Sequence, residues 1–86
     1  MKITVTEEVQ TLVMPGRKHL TLRNTGASNL YVGWEPETTA GGATQGVLVE
    51  PGEFYAPAGR DLDLSAPLRL VCAAGETTTI NYTQKA

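Results

Sequence analysis

The run Leu20-Thr21-Leu22-Arg23-Asn24-Thr25-Gly26-Ala27-Ser28-Asn29-Leu30-Tyr31-Val32-Gly33-Trp34 constrains the fold more than any other part of the chain. Leu20 and Leu22 share one face of an alternating segment, and Leu30, Val32 and Trp34 share a face of a second. Period-two alternation is the signature of a half-buried strand, and the Asn/Gly/Ser cluster between the segments reads as a turn, so the run predicts two strands joined by it. No helical period competes with that pattern.

The remainder repeats it. At the start, Ile3 and Val5 fall on one alternating face, with Val9 and Val13 in the same phase beyond Glu7-Glu8. Residues 2–14 therefore read as two short strands or one bent edge strand. Pro and Gly occupy the central positions of Met14-Pro15-Gly16-Arg17 and of Glu50-Pro51-Gly52-Glu53. Pro presets φ near −65° and Gly accepts the positive φ of a type II turn, which predicts a chain reversal at each place. Downstream, Leu62 and Leu64 alternate with Asp61 and Asp63, then Leu68, Leu70 and Cys72 with Arg69, Val71 and Ala73, and Ile80 and Tyr82 with Thr79 and Asn81. Ala73-Ala74-Gly75-Glu76 reads as a hairpin turn between the last two strands. Short strands spaced about ten residues apart predict an all-β fold, a single small antiparallel β-sandwich or jelly-roll-like barrel. The whole of residues 1–86 forms one domain, with residues 1–14 as an N-terminal edge strand or arm. Its expected core is Leu20, Leu22, Leu30, Val32, Trp34, Leu48, Phe54, Leu70, Cys72 and Ile80.

Composition limits the chemistry. The chain has 86 residues, and one this short buries only about 60% of the surface it exposes unfolded, so small domains often lean on a disulfide, a metal or a partner. Cys72 is the single cysteine and His19 the single histidine, which closes the disulfide route and leaves too few donors for a structural zinc site. Association is the remaining source of stability. The seven Lys and Arg are scattered, Arg17-Lys18 being the one basic pair, whereas nucleic-acid binding concentrates them in a stripe. Neither a signal-peptide h-region nor a transmembrane-length apolar run is present, so the expectation is a protein made in the cytoplasm, with no nucleic acid and no membrane as partner.

No catalytic, cofactor-binding or metal-binding residues are expected. His19 lies in phase with Thr21 and Arg23 on a polar strand face, with nothing nearby to complete a constellation. Cys72 lies in phase with Leu68 and Leu70, where a cysteine packs as a small hydrophobe. Asp61 and Asp63, even with Glu50 and Glu53, lack the ligand spacing of a calcium loop and read as an edge strand guarded by charge. Two regions read instead as partner contacts. Lys2, Ile3 and Val5 begin the chain with a strand that has no evident place in so small a core. Residues 37–45 form a Gly/Thr loop with too little apolar content to fold on itself, so it is expected to be mobile until a neighbour docks on Thr38, Thr39 and Gln45. Tyr31 and Tyr55 are expected to face outward, as interface residues or stacking platforms.

Four segments, taken in order, carry a family resemblance: Leu20-Thr21-Leu22-Arg23-Asn24-Thr25-Gly26; Leu30-Tyr31-Val32-Gly33-Trp34; Leu48-Val49-Glu50-Pro51-Gly52-Glu53; and Leu68-Arg69-Leu70-Val71-Cys72-Ala73-Ala74-Gly75-Glu76-Thr77. Their order resembles that of the small β-sandwich virion proteins of tailed bacteriophages. The resemblance spans about residues 20–83. It implies a virion structural protein, such as a head decoration (cement) protein or a minor head or tail component, with the major capsid protein or other virion proteins as partners. It also implies a homo-oligomer on the particle, and no catalytic residues. The alternative is a receptor- or carbohydrate-binding module of a tail or neck, with Tyr31 and Tyr55 as the stacking surface.

Overall fold

A computed structural model describes residues 1–13, 16–57 and 66–85. Its strands are β1 (Lys2–Val5), β2 (Gln10–Leu12), β3 (His19–Asn24), β4 (Leu30–Gly33), β5 (Val47–Val49), β6 (Phe54–Tyr55), β7 (Leu68–Val71) and β8 (Thr78–Lys85), with one turn of 3-10 helix at Gly42–Thr44. They form two four-stranded sheets, a first in the order β1-β8-β3-β6 and a second in the order β2-β7-β4-β5. Every pair is antiparallel. The chain changes sheet at each connection except that from β4 to β5, and this interleaving is the strand order of an eight-stranded jelly roll. The all-β sandwich read from the sequence is therefore the fold.

The connections differ from the expected hairpins. β3 and β4 do not pair: β3 lies between β8 and β6, and β4 between β7 and β5. After β3 the chain stays beside β8, where Thr25 N and Gly26 N both donate to Thr79 O at 2.9 and 3.1 Å, and then arches to the other sheet. Leu20 and Leu22 thereby face Leu30 and Val32 across the core instead of beside them, which buries both apolar faces at once. The turn at residues 73–76 exists, with Glu76 N donating to Ala73 O at 3.0 Å, but it joins β7 and β8 of opposite sheets. The Pro51-Gly52 turn forms as read, with Gly52 at φ +86° and Glu53 N donating to Glu50 O at 3.0 Å, and it too carries the chain between sheets.

Residues 1–13 resolve into two strands, one in each sheet, so the opening segment is an edge strand on both sides of the sandwich and not a free arm. Residues 6–9 make the crossing and shift the phase: Val5 and Leu12 point inward, while Val9 and Val13 are exposed. Met14 and Pro15, and the alternation of Asp61, Leu62, Asp63 and Leu64, lie outside the described residues.

The core is Val5, Leu12, Leu20, Leu22, Leu30, Val32, Val49, Leu68, Leu70, Cys72, Ile80 and Tyr82, with Ile3, Trp34 and Tyr55 packed against it. Two expected members are absent. Leu48 is 39% exposed and Phe54 65% exposed. In β5 the register pairs Val49 with Leu30 and Leu48 with Tyr31, so Val49 takes the inner place. In β6 it pairs Tyr55 with Leu22 and Phe54 with Arg23, so Tyr55 turns inward and Phe54 outward. A shift of one residue exchanges the faces of a strand, and strands of two or three apolar residues carry no period to set that phase.

Four polar residues are buried among the described ones, Arg17, Asn24, Thr38 and Thr78. Arg17 is 2% exposed; its guanidinium donates to Gln84 Oε1 at 2.6 Å and Ala66 O at 2.7 Å and lies 5.4 Å from the Trp34 ring centre. Asn24, fully buried, ends β3 in phase with Leu20 and Leu22. Its Nδ2 donates to Ser28 O at 2.8 Å and Val49 O at 2.9 Å, and its Oδ1 accepts from Thr78 Oγ1 at 2.6 Å and Gly26 N at 3.2 Å. All four hydrogen-bonding positions of the amide are used, so it ties β3, the β3–β4 arch, β5 and β8 together.

Candidate functional site

The outer surfaces of the two sheets differ in kind. On the second sheet the register places Leu48, Tyr31 and Val71 side by side across β5, β4 and β7. Val9, just before β2, extends the row by lining a depression of about 240 Å³ together with Val71 and residues 38–40. The row thus spans the width of the sheet with no charged residue of its own, and Glu7 borders the depression at its β2 end. Leu48 and Val9 are exposed and Tyr31 half-buried, whereas Val71 is covered because Thr38, Thr39 and Ala40 run beside it.

That loop is not the loose segment expected from its composition. Thr39 N donates to Thr44 O and Gly46 N to Thr39 O, both at 3.0 Å, while the Thr39 and Thr44 hydroxyls meet at 2.8 Å. Thr38 is buried; its hydroxyl donates to Glu35 O at 2.7 Å, and its side chain fills the space where Gly33 and Gly46 have no Cβ. A side chain at Gly33 would collide with Thr38, so the glycine is what lets the loop lie down on the sheet. Backbone and threonine hydrogen bonds order the segment where apolar content does not, because each satisfied polar group removes the cost of drying it. Thr38 is therefore a pin holding the loop and not a contact surface, while Thr39 and Gln45 remain exposed.

Between the loop and the ends of β4 and β5 lies a cleft of about 380 Å³, bordered by Trp34, Glu35, Glu37, Thr44, Gln45 and Val47 among others. The Trp34 indole N–H donates to the Tyr55 hydroxyl at 3.1 Å, and Arg69 donates to Trp34 O at 2.9 Å, so Trp34 is held between the cleft and the core.

The other residues named from the sequence are separated by the fold. Lys2, Ile3 and Val5 lie on β1 of the first sheet, with Lys2 exposed, Ile3 half-buried and Val5 fully buried. Val5 has its place in the core after all, opposite Thr78 of β8. Tyr31 faces outward as expected; Tyr55 does not, so the two tyrosines sit in different sheets and form no shared stacking surface. His19 is exposed on the outer face of β3. Cys72 is buried with its thiol against Val5 O at 3.5 Å, and desolvation pushes its pKa up, away from the reactive thiolate.

Sequence reasoning missed the Trp34 cleft and the burial of Arg17 and Asn24. Asn24 was legible, since it continues the inward phase of Leu20 and Leu22. Nothing in the neighbourhood of Arg17 marks it as buried.

Among the described residues no group of three or more His, Cys, Asp or Glu is placed to hold a metal ion, and no helix is long and apolar enough to cross a membrane. No protein-family model, curated protein or solved structure matches the chain.

Proposed function

We propose that the protein is a structural component of a bacteriophage virion, a capsid decoration or cement protein that seats the outer face of its second sheet on the major capsid protein or another virion protein. The observation that carries this is the apolar row Val9, Val71, Tyr31 and Leu48 on the outer face of the second sheet, in which Val9 and Leu48 are exposed and Tyr31 half-buried, with Val71 covered by the loop between them. Aromatic and aliphatic anchors at the centre of a sheet, with polar residues around them, are the anatomy of a protein contact. The resemblance of the motif order to that of small phage virion proteins supports the same assignment, while the jelly roll alone does not assign a function. Such a protein is made in the cytoplasm of the bacterial host and carried in the particle. It acts by binding the assembled shell in preference to its dissociated subunits, which stabilises the shell by mass action. It needs no cofactor and performs no catalysis.

Purified particles are expected to contain the protein at a copy number comparable to that of the major capsid protein. Tyr31→Asp together with Leu48→Asp should leave the fold intact and weaken binding to particles lacking the protein by about a hundredfold, since two adjacent anchors of the row are lost. A handful of copies per particle would move the protein to the neck or tail, and unchanged binding by the variant would remove this face from the contact.

The cleft beside Trp34 favours a second reading, a receptor- or carbohydrate-binding module, because a concave site lined by carboxylate, amide, hydroxyl and apolar groups suits the mixed surface of a sugar. Trp34 is the only tryptophan, so the intrinsic indole fluorescence comes from a residue bordering that cleft. Saturable quenching by host-surface glycans, abolished by Gln45→Ala, is the expected result for this reading; a flat titration counts against it.

A further inference from the structure

Charge in this chain is sorted by place. Among the described residues all seven glutamates, Glu7, Glu8, Glu35, Glu37, Glu50, Glu53 and Glu76, lie outside the strands. The outer face of the first sheet carries the opposite sign. Lys2 and Arg23 both pair with Asn81, one from each side, and His19 pairs with Lys85. Lys18 adjoins them, its backbone N–H donating to Lys85 O at 2.8 Å. The remaining outward positions there are threonines, Asn81 and Phe54, with no described carboxylate among them. His19, Thr21, Thr83 and Lys85 border a basin of about 340 Å³ on this face. The other two described arginines are occupied elsewhere, Arg17 in the interior and Arg69 on carbonyl oxygens of Trp34 and Pro67.

The matching surface is on the same molecule. The registers bring Val5, Asn24, Phe54 and Thr78 to one end of the sandwich. The connections there, residues 6–9, 25–29, 50–53 and 72–77, contain Glu7, Glu8, Glu50, Glu53 and Glu76 and no Lys or Arg. Among the described residues the chain thus has a basic face and an acidic end, which meet only at Arg23, whose guanidinium lies over the Phe54 ring at 5.1 Å and donates to Gly52 O at 3.4 Å. Segregated charge of this kind steers association and fixes its orientation.

We infer that the outer face of the first sheet is an interface for a second copy of this chain, whose acidic end docks on it with a carboxylate in the basin between His19 and Lys85. Two different surfaces meet, so the contact is head-to-tail and propagates into a ring or a short stack. It leaves the apolar row of the second sheet free. It rests on the homo-oligomer that the family resemblance implies, but it is tested in solution without particles, so its failure leaves the proposed lattice contact standing.

The test is sedimentation of the intact chain at two ionic strengths, about 10 mM, where charges act over about 30 Å, and about 1 M, where they act over about 3 Å. Concentration-dependent oligomers are expected at low salt and monomers at high salt. Lys2→Gln with Lys85→Gln takes two charges from the basic face, leaving Lys18 and Arg23, and Glu50→Gln with Glu76→Gln takes two from the acidic end, leaving Glu7, Glu8 and Glu53. Each double variant alone is expected to be weakened about tenfold or more. Their equimolar mixture retains one intact face and one intact end, and is expected to form 1:1 dimers more tightly than either variant associates with itself. Circular dichroism confirms that both variants are folded. A wild-type chain that stays monomeric at low salt, an oligomer that survives both salt and the Lys variant, or a mixture that fails to pair would each overturn the assignment.

Discussion

Replacing Asn24 with Asp is expected to cost about 3–5 kcal/mol, the range for a buried charge left without a partner, and to bring the protein close to unfolding. An 86-residue domain has a total stability on the order of 4–13 kcal/mol, so the loss is a large share of it. The substitution changes almost no volume. Its effect is chemical: the Asp oxygen that replaces Nδ2 would face Ser28 O and Val49 O, two carbonyls now at 2.8 and 2.9 Å from a donor. Thr78 Oγ1 and Gly26 N still have an acceptor, so half the network survives. Asn24→Ala should cost less, about 2–3 kcal/mol, because it orphans polar groups without adding a charge.

The Asp variant also carries a pH signature. Burial among carbonyls raises the new carboxyl above its unfolded value of about 3.9, so the native state holds the proton more tightly. A raised folded-state pKa means the penalty is absent below the unfolded pKa and grows as pH rises towards the folded one. Urea unfolding should therefore show the variant nearing wild type at about pH 3 and diverging from it by pH 7. A variant within about 1 kcal/mol of wild type at pH 7 would mean that Asn24 does not hold the arch in place.

Deleting residues 1–6 is the second large effect, expected to abolish the cooperative unfolding transition. The segment removes β1, whose register with β8 runs from Lys2 opposite Asn81 to Val5 opposite Thr78. Val5 is 0% exposed, and burying such a side chain is worth about 1.5–3 kcal/mol. More is lost with it. Met1 exchanges backbone hydrogen bonds with Tyr82, its N–H group donating to Tyr82 O at 2.8 Å and Tyr82 N donating to Met1 O at 2.7 Å. Thr6 O accepts from Cys72 N at 2.9 Å and so stitches the crossing to the end of β7. Without these, Ile80 and Tyr82 meet water along a newly bared edge. Val5→Ala, by contrast, should remain folded with a loss of about 2 kcal/mol. A truncated chain that still melts cooperatively near the temperature of the intact one would make the segment a detachable arm.

Legibility from the sequence depended on strand length. β3, with six residues, and β8, with eight, present enough alternation to declare their inner faces, and Leu20, Leu22, Ile80 and Tyr82 are all buried as their phase requires. β5 and β6 are too short and too uniformly apolar to do so, which is why Leu48 and Phe54 came out on the wrong side. The candidate site was legible only in part: Tyr31 lies where its phase puts it, but the row it belongs to is assembled from strands far apart in the chain.

By itself the sequence determined the all-β class, the inward faces of the long strands and the reversal at Pro51-Gly52, because alternation and backbone φ are local properties. Only the tertiary structure decided that β3 faces β4 across the core, that Val5 is interior, that Arg17 is buried, and that five glutamates from three connections gather at one end. Those outcomes depend on pairings between residues as distant as Lys2 and Asn81. Sheet order is settled by how the apolar faces can all be buried at once, a condition that no short window of the chain contains.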